Sequence, residues 1–139
     1  MSFNDIFDIE MREIDEDNLI IRVPFKDEYK NELGAVHGGV IMALADNCSG
    51  FIGSGKRYTA PTLSMYTNFL RPILEARYIY AKAKVIKRGS RIITVDCEIY
   101  ADDQKTAAIT RSEFAIVNDK LEDSTQGEMA YSKGKYKSF

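Results

Sequence analysis

The sequence predicts an α+β fold in which one central helix lies against a mostly antiparallel sheet. Three observations carry that prediction. From residue 37 to about 54, Val40, Ile41, Leu44, Cys48, Phe51 and Ile52 recur at helical spacing and form one apolar arc. Four segments that alternate in character follow, at 62–70, 77–87, 91–100 and 106–117, and two shorter ones precede, at 9–14 and 18–25. The turns KRGS and ADDQ between the last three segments suit antiparallel connections.

In chain order, residues 3–7 are read as a short helical turn. IEMREI and NLIIRVPF are strands joined by the acidic turn DEDN, and KDEYKNELG at 26–34 is a polar loop. The helix then presents a second arc of Met42, Ala43, Asp46, Ser49, Gly50 and Gly53. A solvated helix face carries several charges, and this one carries a single acid, so cover by another chain or a ligand is expected there. In 62–70, Leu63, Met65, Thr67 and Phe69 alternate with Thr62, Ser64, Tyr66 and Asn68. Ile79, Ala81, Ala83 and Val85 share one face of the next strand, and Ile93, Val95, Cys97 and Ile99 one face of the strand after it. The expected order is two strands, a helix, then a four-stranded meander. The domain is set at residues 1–118, and the polar, lysine-rich tail at 119–139 is expected to be poorly ordered or a short appended element.

Length and composition narrow the function. The chain has 139 residues, 45% hydrophobic and 29% charged, which suits one domain with a real core. A formal net charge of -2 gives no electrostatic case for nucleic acid or an anionic membrane as partner. No apolar run reaches the ~18 residues that cross a bilayer. The acidic start MSFNDIFDIEMRE lacks the basic and apolar regions of a signal peptide, so a cytoplasmic location is expected. Cys48 and Cys97 have no metal-ligand spacing and are read as reduced thiols in the core. With a single histidine in the chain, no metal site is expected.

The chemistry gathers at Asn31, His37, Gly38, Gly39 and Asp46. Gly38 and Gly39 stand where a loop enters the helix. There the first backbone N–H groups lack partners and the helix dipole is positive. Glycine lets a ligand approach that backbone closely, which suits stabilising an oxyanion. Asp46 lies nine residues past His37, deeper along the helix, and a carboxylate in such a run is costly unless it is paired or does chemistry.

The pattern N-x-x-G-x-x-H-G-G at Asn31–Gly39, followed by Leu44, Ala45 and Asp46, resembles the hotdog-fold acyl-CoA thioesterases of the phenylacetate-pathway, PaaI-like branch. NFLRP at Asn68–Pro72, the KRGSR turn and the strand ITRSEFAIV are similar too, so the resemblance spans roughly residues 3 to 117. It implies a curved antiparallel sheet wrapped around one helix, in homodimers that pair sheets edge to edge, often within homotetramers, with two sites at the interface. It implies that Asp46 is the nucleophile or the general base for water. By the same resemblance the Gly38 N–H polarises the thioester carbonyl, Asn31 helps position water or the carbonyl, and a hydroxyl from Thr62 or Ser64 assists. His37 is expected to shape the loop through a ring hydrogen bond. Gly39, and the turn of Arg88, Gly89, Ser90 and Arg91, are expected to meet coenzyme A, which enters as part of the substrate and not as a cofactor.

Two other readings compete. A non-catalytic acyl-CoA binding module has no use for Asp46. A hotdog hydratase places its histidine on or beside the helix with an acid about five residues before it, whereas the only histidine here precedes the helix.

Overall fold

The computed structural model of the chain describes residues 2–55, 60–117 and 135–139. The expected helix is α1, Gly38–Ser54. The strands are β1 (Glu10–Asp15), β2 (Asn18–Pro24), β3 (Thr62–Phe69), β4 (Tyr78–Arg88), β5 (Ile92–Tyr100), β6 (Thr106–Ala115) and β7 (Lys137–Ser138). Short 3-10 turns occupy Phe3–Phe7 and Asp27–Tyr29, the second inside the stretch read as polar loop. One sheet runs in the order β3-β6-β5-β4-β2-β1-β7, antiparallel except where β7 joins β1. This is the hotdog arrangement, a curved sheet around one helix.

The sheet packs on α1 through the alternation that the sequence displays. Ile79, Ala81, Ala83 and Val85 of β4 are buried, as are Ile93, Val95, Cys97 and Ile99 of β5. They meet Ile41, Leu44, Cys48 and Ile52 of the helix. Burying each such large side chain stabilises the fold by roughly 1.5–3 kcal/mol. Helix and sheet approach closely at Gly53, where an added Cβ would sit 3.4 Å from Val95 Cγ2. The helix ends against Arg88, whose guanidinium donates to the carbonyls of Ile52 (3.2 Å), Gly53 (3.1 Å) and Glu16 (2.8 Å) and pairs with Asp17 at 3.1 Å. A cation there complements the negative end of the helix dipole.

Two features differ from the sequence reading, and a third decides between its two alternatives. First, the last four long strands are not one meander. Strands β4, β5 and β6 are consecutive neighbours, but β3 pairs with β6 at the sheet margin. The segment after β3 is long enough to carry the chain past two strands, and it is pinned where Leu70 N–H donates to Ala107 O at 2.8 Å. Second, the register of β3 on β6 shifts between Thr62 and Ser64, a bulge that no alternation pattern announces. Third, part of the tail is an ordered strand. Lys137 and Ser138 pair with Glu10 and Met11, Tyr136 packs on Phe51 at 5.5 Å, and the Phe139 ring lies under the guanidiniums of Arg12 (4.4 Å) and Arg22 (4.3 Å). The remainder of the expected tail, 118–134, lies outside the described residues. Among the described residues, no helix is long and apolar enough to cross a membrane.

Cys48 and Cys97 are both buried and unpaired in a disulfide. Burial pushes the Cys48 thiol well above the usual thiol range, which keeps it protonated and unreactive. A thiol-specific disulfide reagent is therefore expected to label neither cysteine in the native protein and both after denaturation. Rapid native labelling of either one contradicts this packing.

Candidate active site

The loop before α1 is built from its own side chains. Asn31 Oδ1 accepts from the N–H groups of Leu33 (2.9 Å) and Ala35 (3.2 Å), and Asn31 N–H donates to Ala35 O at 2.7 Å. Gly34 closes this turn at φ +85, a left-handed conformation that favours glycine. This explains the N-x-x-G half of the motif, since the asparagine and the glycine define one tight turn. The loop is tied back where His37 N–H donates to Tyr29 O at 2.7 Å.

His37 then caps the helix. Its Nδ1 accepts from Gly39 N–H at 2.8 Å, which places the ring proton on Nε2. Its carbonyl takes the N–H groups of Val40 (2.9 Å) and Ile41 (3.2 Å). A helix start leaves four donors unpaired within the helix. Here Gly39, Val40 and Ile41 are satisfied, and Gly38 N–H has no acceptor among the described residues. The Phe69 ring, from the end of β3, covers this glycine; an added Cβ at Gly38 would meet its Cζ at 3.1 Å. Alternation alone gave no sign of that contact.

Asp46 sits two turns further along. Its carboxylate is half-buried in this chain, not enclosed as its uncharged surroundings suggested, because the arc that carries it is only partly covered by its own sheet. Asp46 Oδ1 accepts from Thr62 Oγ1 at 2.7 Å. No Lys or Arg among the described residues pairs with it. The bulge in β3 explains why Thr62 is the partner. Thr62 stands opposite Phe114, which faces the core, while Ser64 stands opposite Glu113 on the outer face and lies 3.5 Å from its carboxylate. Strict alternation puts Thr62 and Ser64 on one face; the extra residue turns Thr62 inward to the helix.

Asn31, His37, Gly38 and Gly39 are thus gathered at one end of α1, with Asp46 and Thr62 further along it. Eight residues separate Gly38 from Asp46, a rise of about 12 Å along the axis. The turn after β4 lies apart from both. Gly89 N–H donates to Ile92 O at 2.9 Å in a turn too tight for a side chain, while Ser90 and Arg91 are exposed. Arg88 is committed to the helix C-terminus, an engagement that the sequence does not reveal because its carbonyl partners carry no side-chain signal.

A curved sheet around one helix is a fold that carries more than one chemistry, and comparison with known proteins says which family this chain belongs to. The family model described as the thioesterase superfamily matches residues 33–108, so the chain belongs to that family and is a thioester hydrolase. It is 26% identical to the acyl-coenzyme A thioesterase PaaI of Escherichia coli over 103 residues, 74% of each chain. The structure of the E. coli PaaI protein superposes with a TM-score of 0.78 at 23% identity, covering 84% of both chains. A thioesterase from Haemophilus influenzae superposes at 0.73, with 26% identity over 82% of this chain and 81% of that one. A Streptococcus mutans protein bound to acetyl CoA has the same fold, with a TM-score of 0.76 at 19% identity over 81% of this chain and 91% of that one.

The Thr62–Asp46 bond separates two hydroxyls that the sequence left equivalent. Thr62→Val is expected to lower kcat by about tenfold or more, the scale of one hydrogen bond to a charged group. Ser64→Ala is expected to leave steady-state turnover within about twofold. The reverse order contradicts the geometry.

Proposed function

We propose that the protein hydrolyses acyl-coenzyme A thioesters to the free acid and coenzyme A, with Asp46 as general base. The observation that carries this is a carboxylate with no counter-ion among the described residues, held by one hydroxyl on an otherwise uncharged helix whose N-terminal amide at Gly38 is free. Thr62 engages Oδ1 and leaves Oδ2 to take a proton from water. The water oxygen attacks the thioester carbon as its proton passes to Asp46. The carbonyl oxygen becomes an oxyanion, and a Gly38 amide donates to it in the field of the helix N-terminus. Collapse breaks the C–S bond, and the coenzyme A sulfur leaves with the proton that Asp46 holds. This chemistry asks for no metal. The names of the E. coli relative and of the S. mutans complex support coenzyme A as the carrier.

One helix cannot supply both groups to one thioester. Carbonyl carbon and oxygen are adjacent atoms, whereas the backbones of Gly38 and Asp46 are about 12 Å apart along the axis, more than an aspartate side chain leaning toward the N-terminus spans. The active centre in this reading therefore joins Asp46 of one copy to Gly38 of a second, in a homodimer. The β3 edge suits such pairing. Among the described residues it pairs only with β6, and it carries Leu63, Tyr66 and Phe69, each more than half exposed. The homotetramer is the further assembly of this dimer. Phosphate contact at the β4–β5 turn falls to Gly89, Ser90 and Arg91, since Arg88 is engaged. Asn31 orders the loop through Oδ1 and keeps its amide group for a water or the carbonyl.

The test is free-thiol release over a panel of acyl-CoAs. Wild type is expected to turn over at least one of them, unchanged by a chelator, and Asp46→Asn to lose about 10²-fold or more of kcat with fold and assembly intact. Equal rates for the two proteins refute the role of Asp46. Tight acyl-CoA binding without turnover supports a binding module instead.

A further inference from the structure

Residues 2–7 precede every motif, yet they are firmly placed. Ser2 N–H donates to Asp5 Oδ2 at 2.8 Å and Asp5 N–H donates to Ser2 O at 3.0 Å, a reciprocal cap on the first turn. Phe7 is buried and packs on the Tyr29 ring at 5.9 Å, and Phe3 stands edge-on to Phe7 at 5.2 Å. The turn so anchored forms one wall of a cavity of about 590 Å³ beside the start of α1. Phe3, Ile6, Phe7, Tyr29 and Val40 are its apolar lining, and His37 and Gly39, the residues on either side of Gly38, line it as well.

The chemistry of this space is specific. Phe3 is 64% and Ile6 46% exposed, apolar surface that the turn holds open beside a helix N-terminus. Lys26, the cation at its margin, is already engaged, donating to Ile6 O at 2.6 Å and pairing with Asp8 at 2.9 Å. A second anionic group on a guest therefore finds no free counter-ion there. The volume falls within the range of small-molecule sites and exceeds what an acetyl group fills.

We propose that this cavity receives the acyl group of the substrate, and that Phe3 and Ile6 set the size of group accepted. The proposal rests on the thioesterase reading, because a carbonyl oxygen held by the Gly38 amide brings its acyl chain to the residues flanking that amide. The acyl group accepted is then uncharged, apolar and larger than acetyl. Each methylene buried there raises affinity by about fourfold. Phe3 and Ile6 are specificity-determining and take no part in bond breaking.

The experiment measures binding apart from turnover. Octanoyl-CoA and acetyl-CoA are titrated calorimetrically into full-length Asp46→Asn protein, alone and combined with Ile6→Trp or Phe3→Trp. Both positions are exposed enough for an indole to enter the cavity without disturbing the core. Octanoyl-CoA is expected to bind at least about tenfold more tightly than acetyl-CoA, and each tryptophan is expected to remove most of that preference while leaving acetyl-CoA affinity within about twofold. In the active protein the same variants are expected to raise KM for octanoyl-CoA with kcat held. Equal affinity for the two ligands, or a preference untouched by both tryptophans, overturns the proposal. If binding behaves as expected but no acyl-CoA is turned over, the cavity assignment stands and the hydrolytic reading fails.

Discussion

The structure depends on how the first turn of α1 disposes of its amide donors. His37 contributes a ring nitrogen to Gly39 and a carbonyl to Val40 and Ile41. That arrangement requires a capping residue with extended backbone, which His37 adopts at φ -60 and ψ 136, and a glycine at 39, where an added Cβ would press on the imidazole at 3.0 Å. Its consequence is a single unpaired donor at Gly38, at the positive end of a 17-residue dipole. In the proposed mechanism the loop, the cap and the two glycines hold that N–H in place before any ligand arrives, so that little reorganisation is required during reaction.

The same economy governs the two margins of the sheet. At one margin a short strand from the chain's own last residues covers β1, clasped by rings and guanidiniums on the outer face and by Tyr136 against Phe51 of α1. At the other, the outer edge of the eight-residue β3 has no strand partner among the described residues. An uncovered edge of that length invites strand addition, and in the proposed homodimer it is the place where the second copy joins. That place is beside Thr62 and Asp46, where the helix face is small, uncharged and only partly covered. Assembly and chemistry are thus coupled by topology, in the reading developed above.

Much of the fold was legible in the residues. The helical arc and the alternation in β4 and β5 map directly onto burial, because each of those elements has one face on the core and obeys its own period. The N-x-x-G-x-x-H-G-G pattern was legible as a loop-to-helix junction, since each residue type there performs a local backbone task. The position of β3 was not legible, because strand order depends on loop length and packing and not on the strand's own pattern. The pairing of Thr62 with Asp46 was hidden by a bulge, which adds one residue and leaves the composition of the strand unchanged. Arg88 is expected from the sequence to meet coenzyme A with the rest of its turn, whereas it holds Asp17 and three backbone carbonyls, and carbonyls are partners that any sequence possesses. Residues 3–7 read as a mere turn, although their aromatic rings are packed into a wall.

The central claim is that a working site takes Asp46 from one copy and Gly38 from another. Its direct test is complementation between two inactive proteins. Proline is well tolerated at the first helical position and after an extended residue, so Gly38→Pro removes the amide donor, and Gly38→Ala, which adds the same Cβ against Phe69 and keeps the donor, controls for that contact. Asp46→Asn removes the base. Gly38→Pro and Asp46→Asn alone are each expected to be impaired by about 10²-fold or more. A purified dimer of one with the other contains one site with both defects and one with neither, and is expected to recover about half the wild-type kcat. A stable mixed dimer that recovers nothing contradicts the shared site.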